Sequence, residues 1–305
     1  MKQRILIVGA GFAGMWSALS AVRQLDRQGR DDVEVAVLAP QPELRIRPRF
    51  YEPDVQRMAA PLGELFAAVG VRFVQGSAQR IDVAGKRVEY RDAEGTLAQL
   101  DYDRLVLAAG SGVWRPASVA GIDAAFDVDQ LEDALRLEAH LHALRDLPDS
   151  PARNTVVVAG GGFTGIETAT EMPARLHVDR NLKVLGLDDV YATGDVARAA
   201  TDDLGNHALM TCQHAIALGR SAGNNVAADL LGVEPIPYSQ VKYVTCLDLG
   251  GWGAVFTEGW DRQVRFVREE GKKIKTEING VWIYPPAADR AVALAAADPL
   301  IPVVA

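Results

Sequence analysis

Ile5-Leu6-Ile7-Val8-Gly9-Ala10-Gly11-Phe12-Ala13-Gly14 opens the chain, and Met15 to Arg27 follows. The four apolar residues form an unbroken run, the pattern of a strand buried on both faces. Ala18, Leu19, Val22 and Leu25 then recur at helical spacing. Between strand and helix lies G-x-G-x-x-G, in the setting that this motif requires. Gly9 permits the tight turn. Gly11 lets a pyrophosphate approach the backbone, and Gly14 lets the helix sit close to the strand. The helix N-terminus, with Phe12 and Ala13 beside it, offers N–H groups and a partial positive charge to the phosphate.

Working outward, the next strand, Val33 to Leu38, should end in an acid that reads the ribose hydroxyls. It ends instead in Ala39-Pro40-Gln41-Pro42, with Glu43 the first acid after it. Two readings stay open: backbone and Gln41 hold the ribose, or Glu43 reaches back. A second motif, Gly160-Gly161-Gly162-Phe163-Thr164-Gly165, follows a strand-like Thr155 to Ala159. Ile166, Glu167, Ala169 and Met172 open a helix that Pro173 should end or kink. Leu105-Val106-Leu107-Ala108-Ala109-Gly110 reads as a buried strand ending at glycine. Val190-Tyr191-Ala192-Thr193-Gly194-Asp195 ends a short strand in an acid, where it can face a ligand crevice. Met210 to Leu231 then has a long helical pattern, with Ala215, Leu218, Ala222, Val226 and Leu230 on it.

Composition narrows the function classes. The chain has 305 residues, 49% hydrophobic and 24% charged, as expected of a globular protein. That length allows two domains, or one with an appendage. A net charge of -8 argues against general nucleic-acid binding. No apolar run approaches the ~18 residues of a membrane helix. The start, Met1-Lys2-Gln3-Arg4 and then four apolar residues, imitates a signal peptide, but the run breaks too soon at Gly9. Two cysteines, Cys212 and Cys246, are too few for a disulfide framework, and a reducing cytoplasm fits. No histidine pair has ligand spacing with acidic support, and His140 and His142 do not share a helix face, so no metal is expected.

The four motifs in this order resemble the two-dinucleotide-binding flavoproteins, and most of all the type II NADH dehydrogenases. The resemblance implies an α/β fold. Its parts are a Rossmann-like FAD-binding domain with a central parallel sheet, a second nucleotide-binding domain for NADH and a small β-rich C-terminal cap. It also implies that Gly9, Gly11, Phe12, Ala13 and Gly14 hold the FAD pyrophosphate. Ala109 and Gly110 mark the exit from the FAD domain, and Gly194 and Asp195 bind the ribityl chain. Arg47, Pro48 and Arg49 resemble a segment near the isoalloxazine. Gln213, His214 and Ala215, after Cys212, resemble an A-Q-x-A segment by flavin and quinone. Glu167 resembles a glutamate by the nicotinamide and quinone. Glu167 and Gln213 are therefore the catalytic candidates. Glu167 either relays protons or is a helix-surface acid stabilised by the dipole.

The spacing departs from the family at one place. Only about thirty residues separate Gly165 from Asp195, too few for the strands and helices of a dinucleotide half. A piece on the order of 100 residues is missing from the NADH domain. The expected divisions are 1–116 and 177–235 for the FAD domain, 117–176 for the remnant and 236–305 for the cap. A helix is expected over Asp129 to Leu144 of the remnant. A lone βα unit cannot bury both faces, so it should pack on the FAD domain or pair in a homodimer. The truncation predicts loss of tight NAD(H) binding. The implied protein is an FAD oxidoreductase working between a small electron donor and acceptor. The alternatives are a flavin protein or electron carrier without NADH turnover, and a flavoenzyme for another small substrate.

The last third reads as strands at Tyr238 to Leu249, Trp252 to Thr257 and Gln263 to Val267. Trp282 to Pro286 ends the ordered pattern. The Ala-rich tail beyond it has one basic residue, Arg290, and makes a poor membrane-surface helix, so no stable anchor is expected. Lys272, Lys273 and Lys275 read as a solvated face. Trp252, Trp260 and Trp282 read as core or as an aromatic pocket for a planar acceptor.

Overall fold

The computed structural model describes residues 2–113, 115, 121–151, 153–155 and 175–303. The chain divides into two compact units. One holds residues 1–44, 61–110 and 174–305, and the other residues 45–60 and 111–173.

The first unit is built on β1 (Gln3–Val8), whose Ile5, Leu6 and Ile7 are fully buried. Parallel β2 (Val33–Ala39) lies beside it, with Val8 opposite Leu38. The sheet continues through β3 (Arg72–Asp82), β4 (Arg87–Asp92) and β5 (Leu97–Asp101). On the other side of β1 lie β6 (Arg104–Leu107) and β7 (Val190–Ala192). The order is β7-β6-β1-β2-β3-β4-β5. Its core is parallel, as expected, while β3-β4-β5 add an antiparallel meander. The continuous apolar runs found β1, β2, β6 and β7. The meander gives no such run because most of β3 is exposed and polar.

Two helices back the sheet. They are α1 (Phe12–Arg27) and α4 (Cys212–Leu231), numbered after α2 (Gly63–Val69) and α3 (Leu131–Ala143). Ala215, Gly219, Gly223 and Ala227 place a small residue at every fourth position of α4. That stripe is one face of the helix, and α1 presses into it. A Cβ on Gly219 would lie 2.5 Å from the Ala13 carbonyl oxygen, and one on Gly223 2.0 Å from that of Ser17. The Ser17 hydroxyl donates to the Gly219 carbonyl at 3.1 Å, across the crossing.

The C-terminal sheet holds β8 (Val244–Asp248), β9 (Ala254–Glu258) and β10 (Gln263–Val267), all antiparallel. The strand expected from Tyr238 starts only at Val244. Before it, the Tyr238 and Gln240 amides donate to the Arg180 and Thr201 carbonyls, so that stretch clips loops together instead of pairing as strand. Helix α5 (Arg268–Glu277) covers one face, with Ile274 and Ile278 on Cys246, Ala254 and Phe256. Within it, Lys272 is held by Asp248 at 2.7 and 2.8 Å.

Two of the three tryptophans are not core. Trp252 is 46% exposed under the Arg268 guanidinium, and Trp282 is 51% exposed. Trp260 stacks on Tyr243, ring centroids 4.8 Å apart. Order also persists beyond Pro286, contrary to the sequence pattern. There α6 (Arg290–Ala296) packs on α1 and α2. Ala293 and Ala297 are fully buried. Arg290 donates to both Asp26 oxygens at 2.7 Å and to the Val69 carbonyl at 2.6 Å, and Asp298 pairs with Arg23. Among the described residues, no helix is long and apolar enough to cross a membrane.

The second unit is drawn together by charge. Arg115 pairs with Asp127 and Asp133 at 2.8 and 2.6 Å. Helix α3 starts at Leu131, not Asp129, because the Asp127 carboxylate accepts the Asp129 and Gln130 amides in a turn. Segment 45–60 joins this unit. Arg47 pairs with Asp129 and donates to the Asp129 and Ser111 carbonyls, while the Glu138 carboxylate accepts the Asp54 amide. Residues 156–174, with the second glycine motif and Glu167, lie outside the described residues.

Candidate flavin-nucleotide site

Four chain segments meet at the carboxyl edge of the first unit's sheet. The Gly9 amide donates to Leu38 at 2.9 Å, that of Ala108 to Val8, and that of Thr193 to Leu107. Gly9 turns with φ +111°, and a Cβ there would lie 2.2 Å from the Ala108 carbonyl oxygen. A Cβ on Gly14 would lie 1.9 Å from the Gly9 carbonyl oxygen. Both glycines are therefore fixed by backbone packing. Gly11 differs, since nothing lies within 4 Å of its Cβ position. It is the N-cap of α1, no side chain bonds the cap, and no acid stands in the first turn. The first turn of any helix has amides without intrahelical partners. Open space above such amides suits a pyrophosphate.

The other motifs close on this turn. Gly194, at φ +69°, sits so near α1 that its Cβ would be 2.7 Å from the Ala13 Cβ and 4.0 Å from that of Ala215. Asp195 follows in a half-buried turn (Gly194–Val196). Thr193 just before it is fully buried, and its hydroxyl has no partner among the described residues. The glycine turn, Ala109-Gly110, Gly194-Asp195 and the start of α4 thus lie side by side. An open cradle, an orphaned hydroxyl and two helix N-termini fit a flavin dinucleotide. Phe12 and Ala13 begin α1 inside it. Arg47, Pro48 and Arg49 fold with the second unit, where Arg49 holds Glu52 at 3.0 and 2.7 Å.

Thr211 caps α4, a role that its place before the helix could have revealed. Its hydroxyl accepts the His214 amide at 3.3 Å and lies 2.9 Å from His214 Nδ1. The Gln213 carboxamide grips one backbone residue at both ends: it donates to the Val244 carbonyl at 2.9 Å and accepts the Val244 amide at 3.3 Å. Gln213 therefore ties the start of β8 to the site. Ala215 packs at Gly194. His214 is fully buried among Tyr243 and Trp260. Burial, helped by the nearby Arg175 charge, pushes its pKa down to about 3. The Cys212 thiol is pushed up to about 11 by burial, so it is no nucleophile near neutrality.

The depressed value of His214 makes a pH prediction. Above 6.5, the ordinary imidazole value, the ring is neutral in both folded and unfolded chains. Below it the unfolded chain takes a proton that the folded one refuses. Stability from this residue is then lost by about 1.4 kcal/mol per pH unit down to the folded value. Urea melts at pH 7 and 5 should show this slope, and His214→Asn should remove it. An equal slope in the variant would show that other groups carry it.

The pyridine nucleotide-disulphide oxidoreductase family matches residues 3–177. The chain belongs to this family. An NADH dehydrogenase-like protein of Mycobacterium tuberculosis is 34% identical to this oxidoreductase, and the alignment covers 98% of each chain. It runs over 400 positions against 305 residues here, so a domain-sized share of the positions are gaps on this chain's side. The demethylphylloquinone reductase of Synechocystis is 29% identical over 60% of this oxidoreductase and 46% of its own length. Among solved structures, NDH2 of Plasmodium falciparum in complex with NADH superposes with a TM-score of 0.68. It shares 13% identity and covers 91% of this chain and 94% of its own. The sulfide:quinone oxidoreductase of Aquifex aeolicus gives 0.66 at 13% identity, covering 92% and 90%. These two show the fold alone. FAD and NAD(H) are the cofactors of the family.

Proposed function

We propose that this chain is an FAD-dependent oxidoreductase that delivers electrons to a quinone-type or similar small acceptor. The carrying observation is the Gly11 cradle, open above α1 while Gly194 and Ala215 close on its flank. When bound, flavin supplies hydride acceptance and electron transfer, and the protein positions it and tunes its potential. The residues Gly9 to Gly14 bind the diphosphate through backbone amides. Asp195 takes the ribityl hydroxyls. The carboxamide of Gln213, held by Val244, would fix the start of α4 at the flavin site, and neutral His214 would add no charge there. The relatives named above support the acceptor class, since one is a demethylphylloquinone reductase.

A second reading has its own support. About thirty residues between Gly165 and Asp195 leave little room for a nicotinamide dinucleotide. On that reading the chain binds flavin and does not turn over NADH. One experiment separates the two. The purified protein should be yellow, with quenched flavin fluorescence. NADH added without oxygen bleaches it on the first reading and leaves it yellow on the second. Calorimetric titration should show NADH binding weaker than about 100 µM, some 5.5 kcal/mol of binding free energy. Micromolar affinity would overturn the expected loss of tight binding, and a colourless protein that takes up no FAD would reject both readings.

A further inference from the structure

The C-terminal segment grips the two helices behind the glycine turn from outside. It runs from Asp289 through α6 to Ile301. Asp289 caps α6 by accepting the Val292 amide at 2.9 Å. Next to it, Arg290 joins Asp26 of α1 to the Val69 carbonyl at the end of α2. At the far end, Asp298 accepts the Leu300 amide at 3.0 Å and pairs with Arg23 of α1. Between these charged contacts, the fully buried residues are small, Ala293 and Ala297. A segment held by charge and so little apolar area can open locally while the sheet stays folded.

The grip ends on a buried cation. The Ile301 carbonyl accepts from Arg220 Nη1 at 3.3 Å. Arg220 belongs to α4 and is only 8% exposed. Its guanidinium lies 4.2 Å from the centre of the Trp16 ring, a cation over an aromatic face. Its Nε is buried with no hydrogen-bond partner among the described residues. A buried charge is costly unless it is compensated. Here the compensation comes from the Trp16 ring, the Ile301 carbonyl and the Asp298 charge, and the last two belong to the C-terminal segment. Burial pushes the Arg220 pKa down to about 10 against the pull of Asp298, so the group is charged near neutrality. If the segment lifts, water becomes the better partner and the guanidinium leaves the ring.

The ring beneath it lies directly behind the cradle. Trp16 stands one helical turn beyond Phe12 on α1. Gly219, the neighbour of Arg220, packs between the two helices. A Cβ there would lie 2.9 Å from the Trp16 Cβ and 2.5 Å from the Ala13 carbonyl oxygen. Ala13 in turn meets Gly194. Arg220 on Trp16 is thus in contact with the segment on one side and with the residues that frame the diphosphate space on the other.

We propose that Arg220 is a positioning residue for the flavin cradle, and that the C-terminal segment is a strap whose docking on Arg220 is coupled to flavin binding. This rests on the flavin reading above. Arg220 acts through Trp16, by setting where α1 lies on α4. Such coupling is reciprocal: a docked strap that tightens flavin binding must itself be tightened by flavin, by the same factor. A strap that only adds stability lacks this property.

Hydrogen exchange of the wild type, with and without saturating FAD, reads the strap directly. The amides of Ala293, Ala297 and Ile301 are bonded within it. They should exchange about 10-fold more slowly with FAD bound, within the ordinary range of coupling between sites. The amides of β5, at the far edge of the meander, should keep their rate. In flavin titrations, Arg220→Gln and Asp298→Asn should lose FAD affinity by a similar factor, about 10-fold. Arg220→Lys should recover most of the loss, because an ammonium also sits over an aromatic ring. Strap exchange that ignores FAD overturns the proposal, even if the variants fail to fold. Equal slowing in β5 overturns it too, since that is general stabilisation. So does FAD affinity within about twofold of wild type in Arg220→Gln, whatever its melting point. A wild type that takes up no FAD defeats the flavin reading itself, an outcome distinct from all of these.

Discussion

Gly11→Ala is expected to fold like the parent and to lose its flavin. The added methyl group meets no protein atom within 4 Å, so packing does not oppose it. It fills the space where the backbone must admit a pyrophosphate. FAD affinity should fall about 100-fold or more, some 2.7 kcal/mol. The thermal midpoint of the flavin-free protein should not move. Gly14→Ala makes the contrast, because its methyl would strike the Gly9 carbonyl oxygen at 1.9 Å. That variant should lose stability before binding is even measured, by about 3 kcal/mol, the upper end of ordinary overpacking. Flavin titrations and flavin-free melts on the pair separate a ligand cradle from a packing contact. Parental FAD affinity in Gly11→Ala would place the diphosphate elsewhere.

Gly223→Ala should be the most damaging single methyl outside the glycine turn. Its Cβ would lie 2.0 Å from the Ser17 carbonyl oxygen and 2.7 Å from the carbonyl carbon. Neither atom can yield without moving α1. A loss of about 3 kcal/mol is expected, seen as a lower urea midpoint at constant slope. Flavin affinity should fall as well, because the same two helices bring Ala13 and Ala215 to Gly194. Gly251→Ala is the control, with open space around its Cβ. If both variants melt alike, the close helix crossing is not a stabilising contact.

Much of this site is legible in the sequence because its chemistry depends on glycine. Gly9, Gly14 and Gly194 stand where a side chain cannot, and such positions survive as motifs. The buried parallel strands announce themselves as Ile5 to Val8 and Leu105 to Leu107. The meander β3-β4-β5 does not, because exposed antiparallel strands need no apolar run. The α4 stripe was readable, as Ala215, Gly219, Gly223 and Ala227 recur every four residues, but the larger residues of the helix gave the more familiar signal. The role of Gln213 was hidden. A carboxamide that pairs with one distant backbone, that of Val244, leaves no trace in local pattern. The docking of α6 was hidden too, because its bonds to Asp26 and Val69 join residues more than two hundred positions apart.

Strands β6 and β7 are direct neighbours, Leu107 opposite Ala192, although Gly110 to Asp189 intervene in sequence. The chain leaves the sheet and returns to it at adjacent doorways. Among the described residues of 111–173, none supplies a ladder bond to this sheet. A stretch inserted between two paired strands can shrink or grow without a change in their register. Evolution can then change what the protein exchanges electrons with while keeping the scaffold that holds the electron carrier. The same doorways are a natural place to splice in a full-length counterpart from the Mycobacterium relative.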